Sequence, residues 1–437
     1  MYTKLQAWKS SPRRKPLLLR GARQTGKTWL LREFGEREFE HVVHLDLEAD
    51  PLLDNFFQRT LDPYRIIAEI GLYRGKEIVP GRDLLVLDEI QASDRALTSL
   101  KYFRERAGDI HIAAAGSLLG IRMAEPGSFP VGQVNFLDLD PMSFPEYLGA
   151  RGRAEYGTLL KSTEEFHPFP AAIHADLVDL LREYLFVGGM PEAVKVFAET
   201  HDPSATREVH QEISDSYVLD FAKHAPASDI PKLGLIWDSI PRHLAKENRK
   251  FMFSAVKKGA RAREYESALR WLYDAGLVHF CTAVSSSRSP LAHYADRSCF
   301  KVYPLDVGLL GAMVRTPAEM LVSGERLFTE FRGALAESFV AQQLVAASHR
   351  DLHYWRSSGG KAESDFLVES GDQVVPVEVK AGLSRKSKSF HSYDKQFSPL
   401  LMFRSNLRNL KQDGKIANMP LYAAHEIPRM ARLGTAG

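Results

Sequence analysis

Gly21-Ala22-Arg23-Gln24-Thr25-Gly26-Lys27-Thr28 has the spacing GxxxxGK[ST]. Glycines at its two ends let a backbone loop close tightly and turn successive N–H groups toward one point, a cradle for phosphate oxygens. Lys27 is then placed to reach the β- and γ-phosphates and the Thr28 hydroxyl to ligate Mg²⁺. The flanks fit that geometry. Pro16-Leu17-Leu18-Leu19 suits a buried strand and Trp29-Leu30-Leu31-Arg32-Glu33-Phe34 the first turns of a helix. Binding of a nucleoside triphosphate, ATP, with Mg²⁺ is the expectation.

About sixty residues on, Asp83-Leu84-Leu85-Val86-Leu87-Asp88-Glu89 reads as a strand ending in two carboxylates. A continuous apolar run is what a parallel strand covered on both faces requires. Its C-terminal end is where ligands sit in open α/β sheets. Asp88 is suited to hold Mg²⁺, directly or through water, and Glu89 to polarise an attacking water.

A second acidic set lies near the C-terminus. Asp365, twelve residues, then Glu378-Val379-Lys380 is the spacing of the PD-(D/E)xK nuclease core. Strands at 363–368 and 374–380 would bring the two carboxylates together as hard oxygen ligands for Mg²⁺. Alternation turns Glu378 and Lys380 to one face, where the lysine could steer or deprotonate water. Glu337, on a helix expected over 333–344, would complete the set. The competing reading of Glu378 and Lys380 is a structural ion pair.

Two stretches are locally basic. Arg242 to Arg270 holds nine Lys/Arg against three Glu, and Lys380 to Lys415 nine against two Asp. Such runs are often solvated faces, yet Lys257, Lys258, Arg261 and Arg263 are placed to meet DNA phosphates. Around them, amphipathic helices at 236–244 and 261–275 precede strands at 277–281 and 300–303, the order of a winged helix. That fold also serves in protein contacts.

These groups need a scaffold. The 437 residues suggest about three domains at roughly 150 residues each. A 44% hydrophobic and 26% charged composition is that of a water-soluble globular chain, and a net charge of +2 leaves nucleic-acid contact to the local clusters. No eighteen-residue apolar run exists, so no bilayer partner is expected. The first fifteen residues lack a signal core. With only Cys281 and Cys299, neither a disulfide framework nor a zinc cluster is expected, and a cytoplasmic setting is. Strands at 42–47, 111–117 and 133–137 join the two above into a five-stranded parallel sheet with interleaved helices.

The phosphate loop, Leu87-Asp88-Glu89-Ile90-Gln91, Gly116-Ser117 and Pro141-Met142-Ser143-Phe144-Pro145-Glu146-Tyr147 resemble a bacterial and archaeal AAA+ ATPase family with a C-terminal domain of unknown function. The resemblance continues through Gly188-Gly189-Met190-Pro191-Glu192, Asp220-Phe221-Ala222-Lys223-His224, Asp306-Val307-Gly308-Leu309-Leu310 and Val377-Glu378-Val379-Lys380. It implies an α/β multidomain chain: an AAA+ P-loop ATPase core over 1–150, a helical lid over 151–225, a winged-helix-like domain over 226–325 and a restriction-endonuclease-like domain over 326–437. It further implies that Ser117 senses the γ-phosphate, the alternative being a serine that starts a turn. Gly188-Gly189 is either a hinge or a structural turn. Relatives place Gly-Arg after the sensor strand, whereas this chain has Gly132-Gln133; Arg122 is the substitute candidate. Relatives form rings, or act as monomers or dimers, so homo-oligomerisation stays open. Two functions follow: an ATPase acting on DNA, with or without cleavage, or a signalling ATPase whose nuclease fold is inactive.

Overall fold

The structure is a computed structural model that describes residues 1–117, 119–124, 132–246, 249–315, 332–357, 362–383 and 388–435. The chain divides into two compact units, one of residues 1–140 with 274–276, the other of 141–273 with 277–437.

The first unit carries five strands, β1 (Leu17–Arg20), β2 (His41–Asp46), β3 (Asp83–Asp88), β4 (His111–Gly116) and β5 (Asn135–Asp138). They lie in the order β2-β3-β4-β1-β5, every pair parallel. Both faces are covered, which is why β1, β3 and β4 read as apolar runs. Leu17, Leu19, Leu84 and Val86 pack on one side with Leu31 and Phe34 of the Lys27–Glu38 helix. Leu18, Leu85, Leu87 and Ile112 pack on the other with Ile66, Leu97 and Phe103. Leu17, Leu18 and Leu19 are wholly buried, each contributing about 1.5–3 kcal/mol. The core fixes β1 and β3 on either side of β4, so their C-terminal ends open on one edge.

The second unit begins with helices, among them Ala171–Val187, Pro203–His224, Ile230–Leu244, Phe253–Val256 and Ala262–Asp274. An antiparallel ribbon follows, β6 (Val278–Val284) with β7 (Ala295–Pro304). The ribbon is not confined to a separate middle domain. β6 pairs in parallel with β8 (Leu352–Arg356), Cys281 opposite Leu352 and Val284 opposite Trp355. β9 (Glu363–Ser370), β10 (Gln373–Val379), β11 (Met402–Asn406), β12 (Lys411–Asp413) and β13 (Ile416–Pro420) complete one eight-stranded sheet, β12-β13-β11-β10-β9-β8-β6-β7. A boundary near residue 325 would divide this one sheet, because the ribbon's edge is satisfied by β8. Sequence pattern did not disclose β11–β13. The Arg332–Ala346 helix lies against β7, β8 and β10.

Gly188 and Gly189 form a tightly held turn. Gly188 has φ +70°, and a Cβ there would lie 2.2 Å from Asp306 Oδ1. A Cβ on Gly189 would lie 2.1 Å from the Met142 carbonyl, while the Gly189 amide donates to Asp306 Oδ2 at 2.6 Å. Asp306 is fully buried and also accepts from Leu309 N and Gln342 Nε2. These contacts are those of a structural turn.

Candidate active sites

In the first unit, β1 ends at Arg20 and the phosphate loop joins it to the Lys27–Glu38 helix. Gly26 has φ +89°, a left-handed conformation that glycine adopts without strain. A Cβ on Gly21 would stand 2.2 Å from the Leu139 carbonyl. Ala22, Arg23 and Gln24 shape the rest of the loop. Thr25 Oγ1 bonds the Ala22 carbonyl at 2.9 Å, and Arg23 pairs with Glu48 at 3.3 Å. No side chain caps the helix start, so its positive end faces the loop.

Lys27 Nζ donates to the carbonyls of Gly21 (3.1 Å) and Ala22 (2.8 Å). Burial pushes its ammonium down to about 8, with Glu89 and Asp88 pulling upward. Thr28 Oγ1 donates to Asp88 Oδ2 at 2.6 Å. Burial alone would raise the Asp88 carboxyl, but hydrogen bonds from His44 and Thr28 hold it below the ordinary aspartate value. His44 stands on β2, beside β3, with Nε2 3.2 Å from Asp88 Oδ2. Sequence reading missed His44; a half-buried histidine between the buried Val43 and Leu45 was the available signal.

Glu89 takes a left-handed φ of +46° just past β3. Its Oε2 receives Gln91 Nε2 at 2.5 Å and the Ser117 amide and hydroxyl at 3.4 and 3.3 Å. β3 and β4 thus bring Glu89 and Ser117 together as the motifs suggested. These residues fit Mg²⁺ with a triphosphate: a hydroxyl and an ionised carboxylate share one point, an ammonium stands beside them, and an uncapped helix end faces the same loop. The side chain of Arg122 lies outside the described residues.

The second cluster is in the eight-stranded sheet. The β9–β10 ladder ends at the Val377–Phe366 pair, and Asp365 Oδ2 accepts the Val379 amide at 2.8 Å. Glu337 projects from its helix and hydrogen-bonds Asp365. Glu378 pairs with Lys380 at 2.7 Å. The motif acids and lysine therefore gather around the β9–β10 hairpin, but two cations join them. Lys301, on β7 and wholly buried, has Nζ 2.5 Å from Glu363 Oε1, 3.7 Å from Glu337 Oε2 and 3.9 Å from Asp365 Oδ1. Arg249 Nη1 bonds Glu337 Oε1, and Tyr303 donates to Glu337 Oε2 at 2.9 Å. Burial opposes ionisation of Glu337, yet Arg249 and Lys301 bring it below the ordinary glutamate value. Burial and the neighbouring Glu337 charge push Asp365 well above its ordinary value. Among the described residues, no group of three or more His, Cys, Asp or Glu is arranged to hold a metal ion. Glu337, Glu363 and Asp365 do not fit Mg²⁺ as they stand, because the Lys301 ammonium lies within 4 Å of all three. Sequence reading missed Lys301, Arg249, Glu363 and Tyr303. For Lys301 there was a signal, a lysine alternating with Cys299 and Tyr303 on the inward face of β7.

Lys257, Lys258, Arg261 and Arg263 are exposed on the segment between the Phe253–Val256 and Ala262–Asp274 helices and the latter's first turn. Of the Lys380–Lys415 cations, Arg404, Arg408, Lys411 and Lys415 lie apart from them, on and around β11 and β12.

Residues 13–148 match an AAA domain, 178–320 the Domain of unknown function (DUF8612) and 332–423 the Domain of unknown function (DUF4143). With the parallel sheet and loop above, the first unit is an AAA-type P-loop ATPase domain. Among solved structures, the chain is similar to a Walker-type ATPase of Pyrococcus abyssi, at 14% identity over 72% of this chain and 94% of that one, TM-score 0.45. It is also similar to the Orc1 protein of Aeropyrum pernix in complex with DNA, at 14% identity over 74% and 91%, TM-score 0.28. Neither likeness is close enough to transfer a function. A comparison with curated proteins found no match. Among the described residues, no helix is long and apolar enough to cross a membrane.

Proposed function

We propose that the protein is an ATP-hydrolysing switch whose second unit contacts DNA. The observation that carries the ATPase half is the convergence of Lys27, Thr28, Asp88 and Glu89 at the open edge of the parallel sheet. Thr28 and Asp88 would hold Mg²⁺, which supplies charge neutralisation to the triphosphate when bound. Lys27 leaves the loop carbonyls for the β- and γ-phosphates. Glu89 orients and polarises water, and Ser117, now bonded to Glu89, reports on the γ-phosphate by exchanging that contact. Release from Ser117 and Gln91 would free the Glu89 carboxylate for its catalytic posture.

The DNA half rests on the four exposed cations at the start of the Ala262–Asp274 helix, ahead of the β6–β7 ribbon. That order supports a winged-helix reading of 226–325 whose ribbon also extends the sheet of 326–437, read as a restriction-endonuclease-like domain, with 151–225 as lid. Cys281 and Cys299 are both buried, and a cytoplasmic setting would keep them as thiols. A gel-shift salt series tests the DNA reading, since each phosphate contact adds about −0.9 to the log–log slope. Replacing Lys257, Lys258, Arg261 and Arg263 by alanine should flatten it. No shift at low salt would reject DNA binding.

A second reading, a signalling ATPase that gates a protein contact, is favoured by one observation: Lys301 and Arg249 fill the nuclease-like acidic set. Plasmid incubated with Mg²⁺ and ATP separates the two, because cleavage lost in Asp365→Ala would sink the non-cleaving version.

A further inference from the structure

We infer that Lys301 and Arg249 are resident counter-cations that take the place of a divalent metal in the Glu337–Glu363–Asp365 cluster, making it a metal-independent anchor for the β6–β7 ribbon. The cluster draws on four segments: the stretch before the Phe253–Val256 helix (Arg249), β7 (Lys301 and Tyr303), the Arg332–Ala346 helix (Glu337) and the start of β9 (Glu363 and Asp365). Magnesium demands oxygen ligands at about 2.1 Å in near-octahedral array. Here each Glu337 oxygen is already engaged, Oε1 by Arg249 and Oε2 by Tyr303. Lys301 Nζ stands within 4 Å of all three carboxylates, and its side chain has no exposed surface through which to withdraw. A dication among those oxygens would press against a buried ammonium of like sign.

Room for the guanidinium is built into the fold. A Cβ on Gly333 would lie 2.4 Å from Arg249 Nη2, so the glycine one turn before Glu337 leaves the space Arg249 uses. Arg249 takes a left-handed φ of +48°, an uncommon posture for a bulky residue that directs it into the cluster. Two cations from outside the hairpin thus do what a metal does in a carboxylate site: neutralise the acids and bind their carriers together. The consequence for the chain is that the ribbon following the helical segment is clamped to the C-terminal sheet without any exchangeable ion.

The test uses Mn²⁺ as a paramagnetic substitute for Mg²⁺, titrated into the full-length, nucleotide-free protein and read by electron paramagnetic resonance. Wild type and Asp365→Asn should bind Mn²⁺ alike, and EDTA should leave the wild-type Tm unchanged. Removing a counter-cation, in Arg249→Met or Lys301→Met, should lower Tm and create a Mn²⁺ site at least about tenfold tighter than any in wild type, with Mn²⁺ recovering part of the lost Tm. The more exposed Arg249 gives the gentler variant should Lys301→Met fail to fold. A wild-type Mn²⁺ site that Asp365→Asn abolishes would overturn the assignment, as would a folded Arg249→Met protein with no gain in Mn²⁺ affinity. Neither arm depends on whether the protein binds DNA or ATP.

Discussion

Raising the pH from 7 to 9 should weaken ATP binding about tenfold, because the phosphate-loop ammonium of the free protein titrates in that window. Burial under the loop brings Lys27 from an ordinary 10.5 down to about 8. The displacement corresponds to about 3 kcal/mol held against the charged form. Roughly nine-tenths of the free protein carries the proton at pH 7 and roughly one-tenth at pH 9. A triphosphate against the amine restores the proton's affinity, so binding must take one up: about half a proton per ATP at pH 8 and close to one at pH 9. Phosphate's own second ionisation, near pH 6, is finished before this window opens. The assay is isothermal titration calorimetry with MgATP at fixed free Mg²⁺, run at each pH in two buffers of different ionisation heat. The difference in observed enthalpy counts protons taken up. For fold stability the sign is reversed. The unfolded chain holds this proton up to about 10.5, so nucleotide-free protein gains stability as pH rises from about 8 toward that value. Affinity that stays flat from pH 7.5 to 9.5, with no buffer dependence of the enthalpy, would refute the placement of Lys27 beneath the loop.

Glu89→Gln should retain MgATP binding while phosphate release falls about 10²–10⁴-fold, the usual range for a lost general base; unchanged turnover removes Glu89 from the chemistry. Gly26→Ala must hold φ near +89° with a Cβ, at about 1–2 kcal/mol, and calorimetry should show weaker ATP binding. Asp306→Ala strands the donors Gly189 N and Leu309 N and takes from Gln342 Nε2 one of its two acceptors, Tyr184 being the other. At about 1 kcal/mol or more for each lost bond, Tm should drop by roughly 6 °C or more; a smaller change by scanning calorimetry would mean the turn is held by other contacts.

What the sequence determined by itself was the ATP site's parts and the strands that bear them. A phosphate loop is a contiguous run whose backbone makes the cradle, and the apolar strand before Asp88-Glu89 announces its own burial, so both are written in local pattern. The same holds for Asp365, Glu378 and Lys380, which a single hairpin brings to one end of the sheet. Tertiary structure alone decided their company. Lys301 reaches Glu363 because β7 joins the C-terminal sheet through β6, which pairs in parallel with β8, a partner distant in sequence. Arg249 meets Glu337 across 88 positions of sequence, and His44 meets Asp88 because β2 lies beside β3. Charge compensation is a property of who is adjacent in space, where a low dielectric makes each neighbour count. A motif names the acids; only the folded chain supplies the cations that answer them.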